Sequence, residues 1–172
     1  PWDHEAVGET IYLNLINKAN RYIYITTPYL IIDNEMITAL ITAAKRGVDV
    51  KIITPGIPDK KIVSEVTKAY YNQLIEGGIR IYEFTKGFVH EKTFVVDDEY
   101  ATVGTVNLDY RSLYLHFECG VWLYASSTIH NIKKDVQKTL KESREIKKKG
   151  IEKLSFFKNL KRQILKAFAP LM

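Results

Sequence analysis

Two alternating hydrophobic periods run through the first 84 residues, and no other feature of the chain constrains its fold as strongly. Over residues 5–20, Val7, Ile11, Leu15 and Ala19 recur four apart, the spacing of one helix face. Residues 21–27 are rich in Tyr and Ile and read as a strand that stops at Pro28. Asp33 and Asn34 can cap a helix whose core face is Ile37, Leu40, Ile41 and Ala44, with Gly47 just past its end. Residues 48–54 form a β-branched strand closed by Pro55-Gly56. Residues 60–76 repeat the helical spacing through Val63, Val66, Tyr70 and Leu74 as far as Gly77-Gly78, and residues 79–84 are the next strand. Strands separated by helices of this length require right-handed crossovers and parallel pairing.

The pattern then changes. Residues 88–96 and 100–106 read as strands joined by Asp97-Asp98-Glu99, which is hairpin spacing; residues 117–124 add another strand, and a long helix starts near Ser127. The expected fold is α/β, a mixed, mainly parallel sheet flanked by helices on both faces. It occupies residues 1–150, and residues 151–172 form a basic amphipathic C-terminal helix. In that helix Phe157, Leu160, Ile164 and Phe168 share one face, while Lys158, Arg162 and Lys166 lie elsewhere. Such a helix either packs on its own domain or lies on an anionic membrane surface.

Charge sharpens that choice. Residues 1–132 carry 12 Lys/Arg against 16 Asp/Glu, a net of −4, whereas residues 133–172 carry 13 against 4, a net of +9. A basic tail of this kind faces an acidic partner, anionic lipid or nucleic acid. A hydrophobic content of 46% supports a proper core and argues against disorder. The single cysteine, Cys119, excludes an intramolecular disulfide and reads as a buried, inert strand thiol that suits a reducing setting. No run approaches the roughly 18 apolar residues of a membrane span, since residues 22–32 are broken by Thr26, Thr27 and Pro28. No secretory leader is recognisable, and an opening on Pro1 reads as a piece of a longer protein, which leaves room for a membrane anchor upstream.

The chemistry concentrates in His90-Glu91-Lys92, followed by Asp97 and then Gly104-Thr105-Val106-Asn107. Side chains alternate along a strand, so His90 and Lys92 share a face. A two-residue hairpin loop, Asp98-Glu99, would pair Asp97 with Tyr100, His90 with Asn107 and Lys92 with Thr105. An imidazole, an ammonium, a hydroxyl and an amide would then converge on one patch. The last three can hold phosphoryl oxygens while the imidazole works at phosphorus or at the leaving oxygen.

H-x-K, four residues, D, six residues and G-[S/T]-x-N resembles the HKD signature of the phospholipase D superfamily. The continuation through Leu108-Asp109-Tyr110-Arg111-Ser112 and Phe117-Glu118 is similar to its cardiolipin synthase branch. So are Thr27-Pro28-Tyr29, residues 45–50 and Gly87-Phe88-Val89-His90. The resemblance implies that His90 is either the nucleophile that forms a phosphohistidine or the acid that protonates the leaving alcohol. It makes Lys92 and Asn107 phosphate ligands, assisted by Thr105, and makes Glu118 the carboxylate that orients the histidine. Asp97 belongs to the same catalytic signature. At five residues beyond Lys92, about 16 Å along an extended strand, it is expected in the hairpin turn or scaffold instead.

Other uses of these residues are weaker. A metal site from His90, His116 and Asp97 or Asp98 would place a cation beside the Lys92 ammonium, so no metal and no cofactor are expected. His116 reads as structural, His4 and His130 as surface. Because the family builds each site from two such motifs, the partner is a first HKD half of the same protein or a twofold homodimer mate. The resemblance implies a transphosphatidylase that makes cardiolipin from two phosphatidylglycerols at the cytoplasmic face of a bacterial membrane, with no nucleic acid involved and this piece itself soluble or peripheral. A homodimeric phosphodiesterase or nuclease, and a non-catalytic membrane-binding domain, are the rival readings.

Overall fold

In the computed structural model, which describes residues 5–148 and 156–167, the repeating pattern becomes a central parallel unit. Helix α1 (Val7–Lys18) leads into β1 (Tyr22–Thr26). A short β2 (Leu30–Ile31) and α2 (Asn34–Lys45) follow, then β3 (Asp49–Pro55), α3 (Lys61–Glu76) and β4 (Arg80–Phe84). Strands β1, β3 and β4 are mutually parallel, with Ile23 opposite Val50 and Ile52 opposite Ile81. The Asp33 carboxylate accepts from the Met36 amide at 2.8 Å and starts α2. Gly47 ends it with a φ of 95°, a conformation that suits glycine.

The remainder of the chain corrects the expectation of a mainly parallel sheet. Strands β5 (Thr93–Val96), β6 (Tyr100–Gly104), β7 (Leu108–Asp109) and β8 (Gly120–Tyr124) precede α4 (Thr128–Lys141) and β9 (Ser143–Ile146). The seven-stranded order is β8-β6-β5-β1-β3-β4-β9. Every other pair in this sheet is antiparallel, because a meander extends one side and β9 returns beside β4 on the other, while β2 and β7 form a separate parallel pair. The long helix read from Ser127 therefore stops at Lys141. Strand β9 went unforeseen because Ser-Arg-Glu-Ile has no apolar run; Arg144 is held by Glu83 at 3.0 Å across the ladder.

Alternation along the strands serves two cores. Ile23, Ile25, Phe94 and Val96 pack with Leu15, Ile16, Leu40, Val66, Tyr70 and Leu74 of α1–α3. Tyr22, Ile53, Val95 and Ala101 turn to the other face, which Ile129 and Val136 of α4 cover. Helix α1 is rotated from its expected face: Tyr12, Leu15 and Ile16 are buried while Val7 is half exposed, since the Tyr12 ring stacks on Phe94 at 4.2 Å. Helix α5 (Phe156–Ala167) packs on α3 through its cations. The buried Arg162 meets Glu65 at 2.8 Å, and the Lys166 ammonium lies 4.2 Å from the Tyr70 ring centre and 3.1 Å from Gln73. Leu160 and Ile164 remain exposed. Phe168, the side chain of Phe157 and the boundary at residues 150–151 lie outside the described residues. Among the described residues, no helix is long and apolar enough to cross a membrane.

The hairpin between β5 and β6 differs by one residue from the expected register. Val96 pairs with Tyr100 and Thr93 with Val103, so the loop has three residues, Asp97-Asp98-Glu99. Asp97 and Asp98 both take positive φ, 55° and 65°, and the Glu99 amide closes the loop on the Val96 carbonyl at 2.9 Å. Asp97 leaves the hairpin ladder because its carboxylate accepts the amides of Asn20 at 2.6 Å, Arg21 at 3.0 Å and Tyr22 at 2.7 Å. Asp98 gathers the Tyr22 hydroxyl, Arg21 and Lys133 of α4. Bonds from amides to a carboxylate are each worth about 1.5–3 kcal/mol at most, and less where water competes. Asp97→Ala, which removes all three, should cost about 2–3 kcal/mol and lower the melting midpoint by about 5–10 °C. A melt by circular dichroism within a degree of wild type would show that these bonds do not anchor the sheet.

Candidate active site

The site forms where the parallel strands end, in the position open α/β sheets use for their crevices. Residues 88–92 lead into β5 outside its ladder, at the end where Thr93 pairs with Thr26, the last residue of β1. Lys92 is only 9% exposed, and its Nζ donates to His90 Nδ1 at 3.0 Å and to the His90 carbonyl at 2.6 Å. No third acceptor is bonded among the described residues. The imidazole itself is exposed and lies against Phe88, with ring centres 5.5 Å apart.

Burial holds the Lys92 ammonium below its usual range, and the charges of Glu118, Asp109 and Asp59 offset part of that effect. The His90 imidazole is also held below its ordinary value. Desolvation comes first, then the positive charge of Lys92, with Asp59 acting the other way. Because an ammonium can only donate, the bond from Lys92 makes Nδ1 the acceptor and leaves the proton of a neutral ring on Nε2.

Gly104 brings the second part of the motif to this end. Its amide bonds the Lys92 carbonyl at 3.3 Å, so Lys92 stands opposite Gly104 rather than Thr105, and His90, outside the ladder, does not pair with Asn107. A Cβ at position 104 would come within 2.3 Å of the Cys119 carbonyl oxygen. Glycine thus allows residues 117–119 to lie against Thr105, whose amide bonds the Cys119 carbonyl at 2.8 Å. The Thr105 hydroxyl accepts from the Cys119 amide at 2.9 Å and donates to Glu118. Cys119 is exposed, contrary to the buried strand thiol expected, because β8 starts only at Gly120.

Within this chain Glu118 turns to other partners than His90. It holds Thr105 and lies 3.9 Å from His116 Nδ1, and no hydrogen bond joins it to His90. Asn107 donates from Nδ2 to Ser112 Oγ at 3.1 Å, while its buried Oδ1 has no partner among the described residues. The amide is followed by β7, which pairs with β2 through Leu30 opposite Leu108, and by a single π-turn over Arg111–Leu115. Thr27 locks this junction, accepting from the Leu108 amide at 3.2 Å and donating to the Tyr29 carbonyl at 2.7 Å. Asp97 stands at the far end of β5, about 16 Å from Lys92 by strand rise, in the turn already described.

Two acidic residues near the site were not singled out from sequence. Asp109 is buried and accepts from the Ser112 amide at 2.8 Å. Asp59 lies in the proline-bounded loop after β3 and accepts from the Tyr29 hydroxyl at 2.5 Å. The available signal was the position of Pro55 to Pro58 at the carboxyl end of a parallel strand. As for metals, His116, Asp97 and Asp98 do not gather around His90. Among the described residues Glu9, Asp33 and Glu35 bring ligand atoms within 4.8 Å of one another, away from this site. There Tyr114 already bonds Asp33, and burial raises the Glu9 carboxyl so that it holds a proton more readily than an ordinary glutamate.

A family profile described as the PLD-like domain of cardiolipin synthase matches residues 12–140, a span that contains every motif residue from His90 to Glu118. The chain belongs to that phospholipase D-like family. An uncharacterised protein of Streptococcus mutans is 51% identical over the whole chain, which spans 37% of that relative. A cardiolipin synthase of Geobacillus kaustophilus is 36% identical over 96% of the chain, again about a third (33%) of its own length. In fold, the domain is similar to Nuc from Salmonella typhimurium, described as a phospholipase D family member. The TM-score is 0.71 at 21% identity, covering 81% of this chain and 90% of the other.

This phospholipase D-like domain has a direct electrostatic test. Lys92→Met removes the charge that helps hold His90 neutral, so the imidazole should titrate at higher pH than in the wild type. The His90 ring signals followed by NMR between pH 4 and about pH 8 would read the change. An unchanged or lower midpoint would show that Lys92 does not set the histidine's protonation.

Proposed function

We propose that the domain supplies one half of a phosphatidyl-transfer site. The observation that carries this reading is the buried Lys92 ammonium bonded to an exposed imidazole, with an N–H still available, at the end of a sheet where Thr105 and Asn107 also arrive. A buried cation beside a nucleophilic ring is costly without an anion and favourable with one, and a phosphodiester is the anion this family handles. Two relationships support the assignment: the match to the cardiolipin synthase domain and the likeness to cardiolipin synthases over almost the whole chain.

In the proposed reaction a histidine nitrogen attacks phosphorus of one phosphatidylglycerol. The P–O bond to glycerol breaks, and the histidine of the second half protonates the departing alkoxide. A primary hydroxyl of a second phosphatidylglycerol then forms a new P–O bond as the P–N bond breaks, returning its proton to that second histidine. One alcohol replaces another, and no water or electron is consumed. Phosphate binding draws Lys92 from Nδ1 onto a phosphoryl oxygen. Asn107 joins it once its Nδ2 turns from Ser112 toward the phosphate, and the Thr105 hydroxyl completes the cradle by turning its proton from Glu118 to a phosphoryl oxygen. His90 is the nucleophile or the acid. Asp97 contributes by fixing the strand, not by touching phosphate.

The second half is assigned to the surface next to Thr105. An open groove of about 350 Å³ runs between α1 and β6-β8 and is lined by Val103, His116, Glu118, Val121 and Trp122. Phe117 is 90% exposed and Val121 58% exposed on its rim. Apolar groups left in water beside an incomplete site mark a docking face, and the remaining two-thirds of the relatives' length can carry the second HKD motif.

His90→Ala in the full-length protein should abolish cardiolipin formation from phosphatidylglycerol vesicles. Lys92→Ala and Asn107→Ala should each slow it by about 10² or more. Normal turnover by His90→Ala would end this reading.

The membrane surface is assigned to α5, which turns Arg162 and Lys166 inward and leaves Leu160 and Ile164 in solvent. A bilayer surface uses that apolar stripe together with the basic tail, whereas nucleic acid would use only the charge. Co-sedimentation with phosphatidylglycerol vesicles should fall at least tenfold for Ile164→Asp and persist in part at high salt. Salt-resistant binding to duplex DNA with no vesicle association would favour a nuclease instead.

A further inference from the structure

The loop after β3 carries a group that the transfer chemistry just described does not use. Asp59 is exposed at the carboxyl end of β3 and faces Tyr29, two residues past Thr27, whose hydroxyl receives the Leu108 amide next to Asn107; the loop therefore borders the phosphate site, and the Asp59 charge acts on both His90 and Lys92. Its two oxygens are already oriented. One accepts the Tyr29 hydroxyl at 2.5 Å and the other the Lys60 amide at 2.7 Å. Each carboxylate oxygen retains a second lone pair for a further donor. Pro55 and Pro58 restrict the loop, and Tyr29 follows Pro28 on the facing side, so the pair is held between proline-stiffened segments.

We infer that Asp59, positioned by Tyr29, is a hydroxyl-binding subsite that recognises the vicinal diol of the alcohol entering or leaving at phosphorus. The inference rests on the phosphatidyl-transfer reading and names the substrate feature selected there. Two observations define the ligand chemistry. A carboxylate beside the phosphate cradle repels a second anion, which excludes a phosphate or a carboxylate on the alcohol. A cationic group on the alcohol, primary or quaternary, would meet two positive charges already there: the Lys60 ammonium, 5.7 Å from the Tyr29 ring centre, and the Lys92 ammonium of the phosphate site. A neutral hydroxyl remains: it donates to Asp59 without charge conflict. In glycerol, one hydroxyl bonds Asp59 while its neighbour forms the new P–O bond and gives its proton to the acid-base histidine. Asp59 itself takes no proton.

The bland role of Asp59 is electrostatic support for the start of α3. That role would affect stability and both alcohols alike, so the decisive measurement is a preference. The full-length protein is given vesicles of phosphatidylglycerol together with deuterated glycerol and ethanol in competition. Mass spectrometry reads the ratio of deuterated phosphatidylglycerol to phosphatidylethanol. Wild type should prefer glycerol, and Asp59→Asn should lower the ratio about tenfold, in line with one hydrogen bond to a charged group. Tyr29→Phe, which frees the carboxylate from its orienting donor, should lower it a few-fold. An Asp59→Asn ratio equal to wild type overturns the inference. If that variant makes neither product, the ratio is read in Asp59→Glu and Tyr29→Phe, where equality with wild type overturns it as well. A wild-type protein that forms neither product refutes the transfer reading instead, so the two failures are distinguishable.

Discussion

One carboxylate sets the frame on which the site depends. Asp97 gathers three consecutive amides at the entrance to β1 while its own backbone, at positive φ, begins the turn into β6. That arrangement fixes β5 against β1 with Ile23 opposite Val96. A slip of one residue would turn Phe94 and Val96 out of the larger core and move Lys92 to the wrong face. Strand β5 is only four residues long and acts as a spacer between the clamp and the chemistry. The motif's aspartate and its histidine-lysine pair thus stand at opposite ends of one short strand, whose register the aspartate fixes.

The parts of this organisation that could be read from sequence were those written in hydrophobic period. The β1-α2-β3-α3-β4 unit was legible because each element carries its own apolar spacing and a Pro or Gly at its end. The His90-Lys92 pair and the structural placement of Asp97 followed from motif spacing and strand rise. What escaped was set by bonds between distant residues. The three-residue hairpin loop depends on Asp97 reaching Asn20, Arg21 and Tyr22, and nothing in residues 88–106 announces those partners. The two-residue ladder between β2 and β7 depends on Thr27 meeting Leu108, and β9 depends on Glu83 holding Arg144. Glu118 was placed beside the histidine by motif analogy, whereas its nearest donor is the Thr105 hydroxyl.

Within the site, position matters more than inventory. Lys92 is buried just ahead of β5, and its pairing with the His90 ring couples the protonation of one group to the other. Around them Glu118, Asp109 and Asp59 lie far enough away to steady the ammonium without neutralising it. Gly104 is the steric condition for this arrangement. Its missing side chain lets two backbones approach, and through that contact Thr105 and Glu118 share one corner of the site.

Strand β8 lies at the edge of the seven-stranded sheet. Among the described residues its outward-facing backbone groups have no neighbouring strand, and Val121, Trp122 and Tyr124 are exposed along it. An unprotected edge with apolar side chains is a template for strand addition. This third of the longer relatives, handled alone, would be expected to grow by edge-to-edge pairing into concentration-dependent, open-ended aggregates. A closed twofold assembly that pairs two such edges leaves neither free, so whether its oligomers terminate or keep growing distinguishes a closed pair from open-ended association.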